Sequence, residues 1–458
     1  MRTIVIGTNH AGTTAVRTLK KLDPKMEVIT YDKSDKISLL GCGIALWVKG
    51  SITSPQDLFY ASPELLAKEG IEVHTKHDWT GIDADKKTVT FKDMKSGQEV
   101  VDHYDKLIVA TGTWPATPPF KGLDNPNVTV VKNYEQGEKI AAVNNDASIK
   151  KVAVVGAGYI GVELVDAFVS AGKEVTLIDA ADRIMPNYYD ELFSSKVENA
   201  MKEQGVDLQL GQFVQEFVAE ESGVLKQIKT DKGTFAADYA IVCVGVKPQT
   251  DLLKGVVELD PRGTIKTNEY QQTSNPDIYG IGDCSQVYNV AYNQAMPIQL
   301  ATTAVRTGIL AAVNIIQNNK MKSPGFTGAN AIDVFGWKLA SCGVTEVMAK
   351  KCSIDYEQIT YTDADRPEWM KTYNLVTLKV VYEKASHRII GAQVISKANH
   401  SEVIYLFAGL IQKQTLIDEL PLIDIFFLPH FNKPYNFITE VGLSYYGLDF
   451  LNTEKSEK

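Results

Sequence analysis

The chain has few cysteines for its length, no long apolar run and no surplus of positive charge. Five cysteines in 458 residues, at irregular spacing, exclude a disulfide framework and fit a reducing compartment, so a cytoplasmic location is expected. No apolar run approaches the roughly 20 residues that cross a bilayer. Stretches such as Gly308–Ile316 are too short, and no membrane span is expected. Lys and Arg number 47 against 56 Asp and Glu, a formal charge of −9, which argues against a nucleic-acid partner. With 17 prolines, 44% apolar and 22% charged residues, the composition excludes disorder and collagen-like repeats. The chain opens directly on the strand-like Thr3-Ile4-Val5-Ile6, leaving no room for a leader, so export is not expected.

What is present is a pattern stated twice: an apolar strand, a glycine-rich turn, an amphipathic helix and a second strand ending in an acid. It runs over Thr3–Leu22 with Glu27–Tyr31 and Asp32, then over Lys151–Ala171 with Glu174–Ile178 and Asp179. Two such units imply two nucleotide-binding folds built on parallel sheets. Between them Lys106–Gly112 reads as a buried strand, and the proline-rich Trp114 to Pro119 as a crossing linker. A further strand, Tyr239–Gly245, leads into a second crossing at Val246-Lys247-Pro248, and Asp277–Asp283 resumes the first style. The second domain therefore reads as inserted into the first. From about Gly325 alternating strands, Leu375–Tyr382 and Arg388–Ser396, and an apolar helix, Ser401–Gln414, suggest a packed α+β module, and the last residues form a polar tail.

Gly156-Ala157-Gly158-Tyr159-Ile160-Gly161 fits G-x-G-x-x-G between a strand and a helix, with Asp179 beyond. The glycines let the backbone approach a pyrophosphate at the helix N-terminus, and the acid accepts from an adenosine ribose. An acid there disfavours a 2′-phosphate, so NADH is expected over NADPH. The first copy, Gly7-Thr8-Asn9-His10-Ala11-Gly12, has Asn9 at the middle glycine, a residue that tolerates the needed backbone conformation better than most. Gly282-Asp283 would aim a carboxylate at a sugar-like hydroxyl such as the ribityl chain of a flavin.

Cys42, in Gly41-Cys42-Gly43-Ile44-Ala45-Leu46-Trp47, lies at an apparent helix start, where the helix field is expected to lower its pKa. No second cysteine is near enough for a redox dithiol. A lone thiolate beside a flavin can cycle through a sulfenic acid; a buried structural cysteine is the alternative. His10, at a helix start, can hold a thiolate and shuttle a proton, or simply cap the turn. Cys243, Cys284, Cys342 and Cys352 read as structural, no metal site is expected, and His430 reads as part of an interface loop.

With these residues the chain resembles the NADH oxidase and NADH peroxidase family of the pyridine nucleotide–disulfide oxidoreductases. The segments that carry the resemblance are Gly7–Gly12, Ile37–Trp47, Ala110–Gly112, Gly156–Gly161, Asp277–Asp283, Ala301–Gly308 and Phe427–Asn436. Cys42–Trp47 and Phe426–Tyr435 most resemble the water-forming oxidases. Leu39-Leu40-Gly41 before Cys42 departs from the family pattern.

The resemblance implies an α/β chain of two Rossmann-like dinucleotide-binding domains, the second inserted in the first, plus a C-terminal α+β dimerisation domain. The boundaries are 1–118 and 247–325 for FAD, 119–246 for NADH, 326–450 for the homodimer interface and 451–458 for the tail. It implies that Gly7, Asn9, His10, Ala11, Gly12, Asp32, Lys33, Cys42, Ala110, Thr111, Gly112, Thr113, Lys132, Asp283, Ala301 and Thr302 surround FAD. Gly156, Gly158, Ile160, Gly161, Asp179, Tyr188 and Gly245 would lie along NADH, with Tyr159 covering the flavin until nicotinamide displaces it. The implied reaction reduces O2 to water with two NADH through the Cys42 sulfenic acid, assisted by His10. An NADH peroxidase, a coenzyme A-disulfide reductase and a non-enzymatic flavin redox sensor are the alternatives.

Overall fold

The computed structural model describes residues 1–448; the expected tail at 451–458 and the last two residues of the third domain lie outside them. The chain divides into two compact units, one of Met1–Ala180, Val206–Tyr288 and Ala295–Gly325, the other of Ala181–Gly205, Asn289–Gln294 and the chain from Phe326 onward.

The first unit contains both nucleotide-binding sheets. One runs, in spatial order, Ile278–Gly280, Lys106–Val109, Arg2–Ile6, Glu27–Asp32 and Glu72–Thr75, every pairing parallel. The other runs Asp207–Leu210, Glu174–Asp179, Lys151–Val155, Tyr239–Val242 and Val128–Val130, also parallel. All the strands of the second sheet fall in sequence between Lys106–Val109 and Ile278–Gly280 of the first, which is the insertion expected from sequence.

Continuous apolar strands arise because the first sheet is covered on both faces. Val5 and Ile108 pack with Ala15 and Leu19 on one side, while Ile4, Ile6, Leu107 and Val109 pack with Phe91 and Ile265 on the other. The helices His10–Leu22 and Ala301–Gln317 cross so closely that a Cβ on Gly308 would lie 2.5 Å from the Ala11 carbonyl oxygen. The two crossing segments are not free linkers. Thr113–Pro115 and Val246–Pro248 pair with each other as an antiparallel ribbon.

The second unit is built on a five-stranded antiparallel sheet, ordered Asn330–Val334, Trp337–Gly343, Ile389–Ser396, Leu375–Glu383 and Tyr356–Ala364. The helix predicted over Ser401–Gln414 forms as Val403–Gln412, and a further helix, Phe437–Tyr445, joins the same core. Lys379, 3% exposed, places its Nζ 2.8 Å from Asp190, which also accepts from the Gln393 amide at 2.6 Å. Phe426, Phe427, Leu428 and Phe431 stand exposed. No helix among the described residues is long and apolar enough to cross a membrane.

Candidate functional site

The first glycine turn is shaped by what its glycines exclude. Gly7 lies at φ +96°, and a Cβ there would meet the Ala110 carbonyl oxygen at 2.4 Å; one on Gly12 would stand 1.9 Å from the Gly7 oxygen. Only hydrogen fits at both, so the turn closes on the end of strand Lys106–Val109 and opens the first amides of helix His10–Leu22 to an anion. The second turn repeats this with Gly156 at φ +112°, 2.5 Å from the Cys243 oxygen, and Gly161, 1.8 Å from the Gly156 oxygen. The expectation about Asn9 needs correcting. It lies at φ −100°, as its counterpart Gly158 lies at −76°, so the middle position requires no special conformation and accepts a side chain.

The two acids are held alike. Asp32 accepts the Thr8 amide at 2.6 Å and the Ser34 amide at 2.8 Å, while Asp179 accepts the Ala157 amide at 2.5 Å. Burial pushes the Asp32 carboxyl up, and its backbone hydrogen bonds oppose that rise.

A cavity of about 860 Å³ runs along the first turn. It is lined by Gly7, Asn9, His10, Ala11, Asp32, Lys33, Ala110, Thr111, Gly112, Thr113, Lys132 and Asp283, all expected around FAD. Lys132 donates to the Thr113 hydroxyl at 3.0 Å and lies 3.8 Å from Asp283, so a cation and an anion face the same space. Gly12, Cys42, Ala301 and Thr302 do not line it. Gly12 packs beneath the turn, and helix Ala301–Gln317 reaches the cavity through Ala304 instead. His77, Asp78 and Trp79, on strand His77–Asp83, and Met94, in the turn after strand Thr88–Asp93, extend the wall, and no motif marks either segment. A glycine turn, an acid at the next strand end and a cavity whose mostly apolar wall carries the charged Asp32, Lys132 and Asp283 fit a flavin dinucleotide.

Of the residues expected along NADH, Ile160 is 44% exposed just past the second turn, and Gly245 takes φ +114°. Tyr188 falls in the second unit. The Cys243 thiol donates towards the Val155 and Gly156 oxygens, and burial, then Asp179, pushes it up to about 12. Among the described residues no group of three or more His, Cys, Asp or Glu is placed to hold a metal ion.

Cys42 departs from expectation in its electrostatics. It sits in the 3-10 turn Gly41–Gly43, ahead of a helix of only five residues, Ile44–Val48. Its thiol is raised, first by desolvation and then by Glu163, with the Cys42 and Gly43 amides pulling the other way. Although Cys42 is exposed by area, the protein around its sulfur outweighs the field of so short a helix. Glu163, on helix Tyr159–Ser170, is pushed up to about 7 by burial and by Asp166, which Lys49 binds at 2.5 Å.

His10 is lowered, chiefly by desolvation; Asp283 opposes this and Lys132 assists it. Its Nδ1 stands 3.1 Å from the Tyr60 hydroxyl, and the two rings stack. Tyr60, pushed up to about 12 by burial, also feels the charge of Cys42, so one phenol bonds one expected catalytic group and lies within electrostatic reach of the other. Neither Tyr60 nor Glu163 was singled out from sequence. Tyr60 sits in an ordinary stretch, Phe59-Tyr60-Ala61-Ser62, and Glu163 reads as one more polar position of a helix.

Residues 1–308 match the family model for pyridine nucleotide-disulphide oxidoreductases, and residues 331–434 match that family's dimerisation domain. The chain is 42% identical to an NADH oxidase of Enterococcus faecalis, with 96% of this chain and 98% of that one covered. It is 41% identical to an NADH oxidase of Mycoplasma pneumoniae, with 97% and 98% covered. Among solved structures, a water-forming NADH oxidase from Lactobacillus brevis bound to NADH superposes with a TM-score of 0.95 at 37% identity, covering 98% of each chain. The paired glycine turns, the inserted second sheet and these matches agree: the chain belongs to the pyridine nucleotide-disulphide oxidoreductase family.

Proposed function

We propose that the chain is an FAD-dependent NADH oxidase that reduces oxygen to water at the expense of two NADH, with Cys42 as the redox-active thiol and His10 as its proton carrier. The observation that carries the reading is a free cysteine, without a partner thiol, within electrostatic reach of the phenol that bonds a histidine lining the cavity along the first glycine turn. FAD, when bound there, takes hydride from NADH, passes electrons to oxygen and supplies the pair that resets the cysteine.

The residues then divide the work. The open amides at the start of helix His10–Leu22 receive the FAD pyrophosphate, Asp32 a ribose, and Asp283 with Lys132 the flavin end of the cavity. Gly156, Gly158, Gly161 and Asp179 hold NADH in the same manner, with Tyr159, Ile160 and Gly245 beside it. The Cys42 thiolate attacks one oxygen of hydrogen peroxide: the S–O bond forms, the O–O bond breaks, and hydroxide leaves to take a proton and become water. The sulfenic acid, on gaining two electrons and one proton, releases the second water and restores the thiolate. His10, neutral at rest because burial lowers it, takes up a proton from solvent and, as the imidazolium, hands one to the departing hydroxide, which returns it to the neutral form.

Residues 1–118 with 247–325 serve FAD, 119–246 NADH and 326–450 a homodimer interface. The match to the dimerisation domain and the exposed Phe426, Phe427 and Phe431 support that last role. Free, unpaired cysteines and a net acidic chain support a cytoplasmic setting. An oxygen electrode tests the reading. Oxygen uptake driven by NADH should be unchanged when catalase is added; oxygen returned by catalase would mean that the product is peroxide.

A further inference from the structure

We propose that Tyr60 is a positioning residue for His10: its hydroxyl donates to Nδ1, which fixes the ring and its tautomer and leaves Nε2 carrying the proton used at Cys42. The inference rests on the reading of Cys42 and His10 given above.

The geometry is specific. The hydroxyl and Nδ1 are 3.1 Å apart, and the rings stack at 5.6 Å between centroids with an interplanar angle of 8°. Both groups are neutral at pH 7, Tyr60 because burial holds its phenol up and His10 because burial holds its imidazole down. Between neutral partners a phenol is the better donor and an imidazole nitrogen the better acceptor, so the proton lies on oxygen and Nδ1 accepts.

The backbone holds Tyr60 on both sides. Ser38 Oγ donates to the Ala61 oxygen at 2.7 Å and accepts the Ala61 amide at 2.8 Å, and the Leu40 amide donates to the Leu58 oxygen at 2.7 Å. The segment 58–61 is therefore clasped to residues 38–40, which lead directly into Cys42. Ser38 in turn donates its amide to the Thr8 oxygen at 2.9 Å, in the turn that precedes His10. Tyr60 thus has a fixed place relative to both groups.

The charged and titratable neighbours are few. Asp283 and Lys132 act on His10 from the cavity wall, while Arg17, paired to Glu69 at 2.5 Å, and Cys42 act on Tyr60. Protonating Nδ1 breaks the bond it accepts from the phenol, so the bond favours neutral His10, and its loss raises the histidine pKa.

The test is the rate at which iodoacetamide alkylates Cys42, followed against pH in FAD-loaded wild type, Tyr60→Phe, His10→Ala and the double variant. Phenylalanine keeps the stacked ring and removes only the hydroxyl, and retained flavin absorbance shows that each variant is folded. Wild type should show a low-pH inflection that His10→Ala abolishes. In Tyr60→Phe it should move to higher pH, and the double variant should match His10→Ala alone. An unmoved inflection, its absence from wild type, or an added effect in the double variant overturns the proposal. Thiol alkylation reads His10 whether or not Cys42 handles peroxide. If Cys42→Ser releases no more peroxide than wild type while the alkylation profile behaves as stated, the redox reading fails and the placement of Tyr60 stands.

Discussion

The Asp32 carboxylate accepts the Thr8 amide at 2.6 Å, and Asp179 stands in the same relation to Ala157 in the second fold. Each acid is thereby tied to its own glycine turn, and Asp32 also accepts the Ser34 amide on its other oxygen at 2.8 Å.

The acid of the second fold bears on cofactor choice. A 2′-phosphate beside Asp179 would bring two negative groups together, so NADH should be preferred. Asp179→Ala should raise the ratio of kcat/KM for NADPH to that for NADH by about tenfold, about 1.4 kcal/mol. Its KM for NADH should rise too, because the turn loses an anchor. Equal use of NADPH by wild type, or a ratio unchanged in the variant, would contradict this.

Glu163 provides a pH prediction. Desolvation and then the Glu163 carboxylate raise the Cys42 thiol. A negative neighbour disfavours thiolate, so Glu163→Gln should stabilise the thiolate and move the main midpoint of Cys42 alkylation to lower pH. Below about 7, where Glu163 itself becomes protonated, wild type and variant should converge. An upward shift would place the carboxylate elsewhere.

His10→Ala should keep its yellow cofactor, since His10 contributes one side chain to a cavity walled by many others. Peroxide disposal should slow on the order of 10²-fold, the low end of what a positioned acid supplies. A colourless protein would make His10 structural.

In the second unit, Lys379 and Asp190 are each 3% exposed and 2.8 Å apart. Lys379→Met leaves a buried carboxylate without its cation and should cost about 3 kcal/mol, read as a lower urea midpoint. An unchanged midpoint would show that Gln393 and the Glu346 amide, which also bind Asp190, suffice.

Much of this was legible in the sequence because it is dictated by local sterics. Gly7, Gly12, Gly156 and Gly161 mark positions where any Cβ would strike backbone, and the strands buried on both faces read as unbroken apolar runs. What escaped depends on contacts between distant residues. Tyr60 reaches His10 across fifty positions, Glu163 reaches Cys42 from the other glycine fold, and the two crossing segments pair although neither looks like a strand. The Cys42 thiol was expected to be lowered because a helix follows it. That helix is five residues long, too short to outweigh the desolvation that only the folded chain imposes.

The central claim is that Cys42 decides between water and peroxide as product, and the stoichiometry of Cys42→Ser tests it most directly. Hydride transfer to the flavin and its reaction with oxygen need no thiol, whereas a serine hydroxyl is neither ionised at neutral pH nor able to form a sulfenic acid. Wild type should consume two NADH per oxygen without free peroxide. The variant should fall towards one NADH per oxygen with hydrogen peroxide accumulating in step; if it still consumes two and releases none, Cys42 is structural and the account of the reaction is wrong.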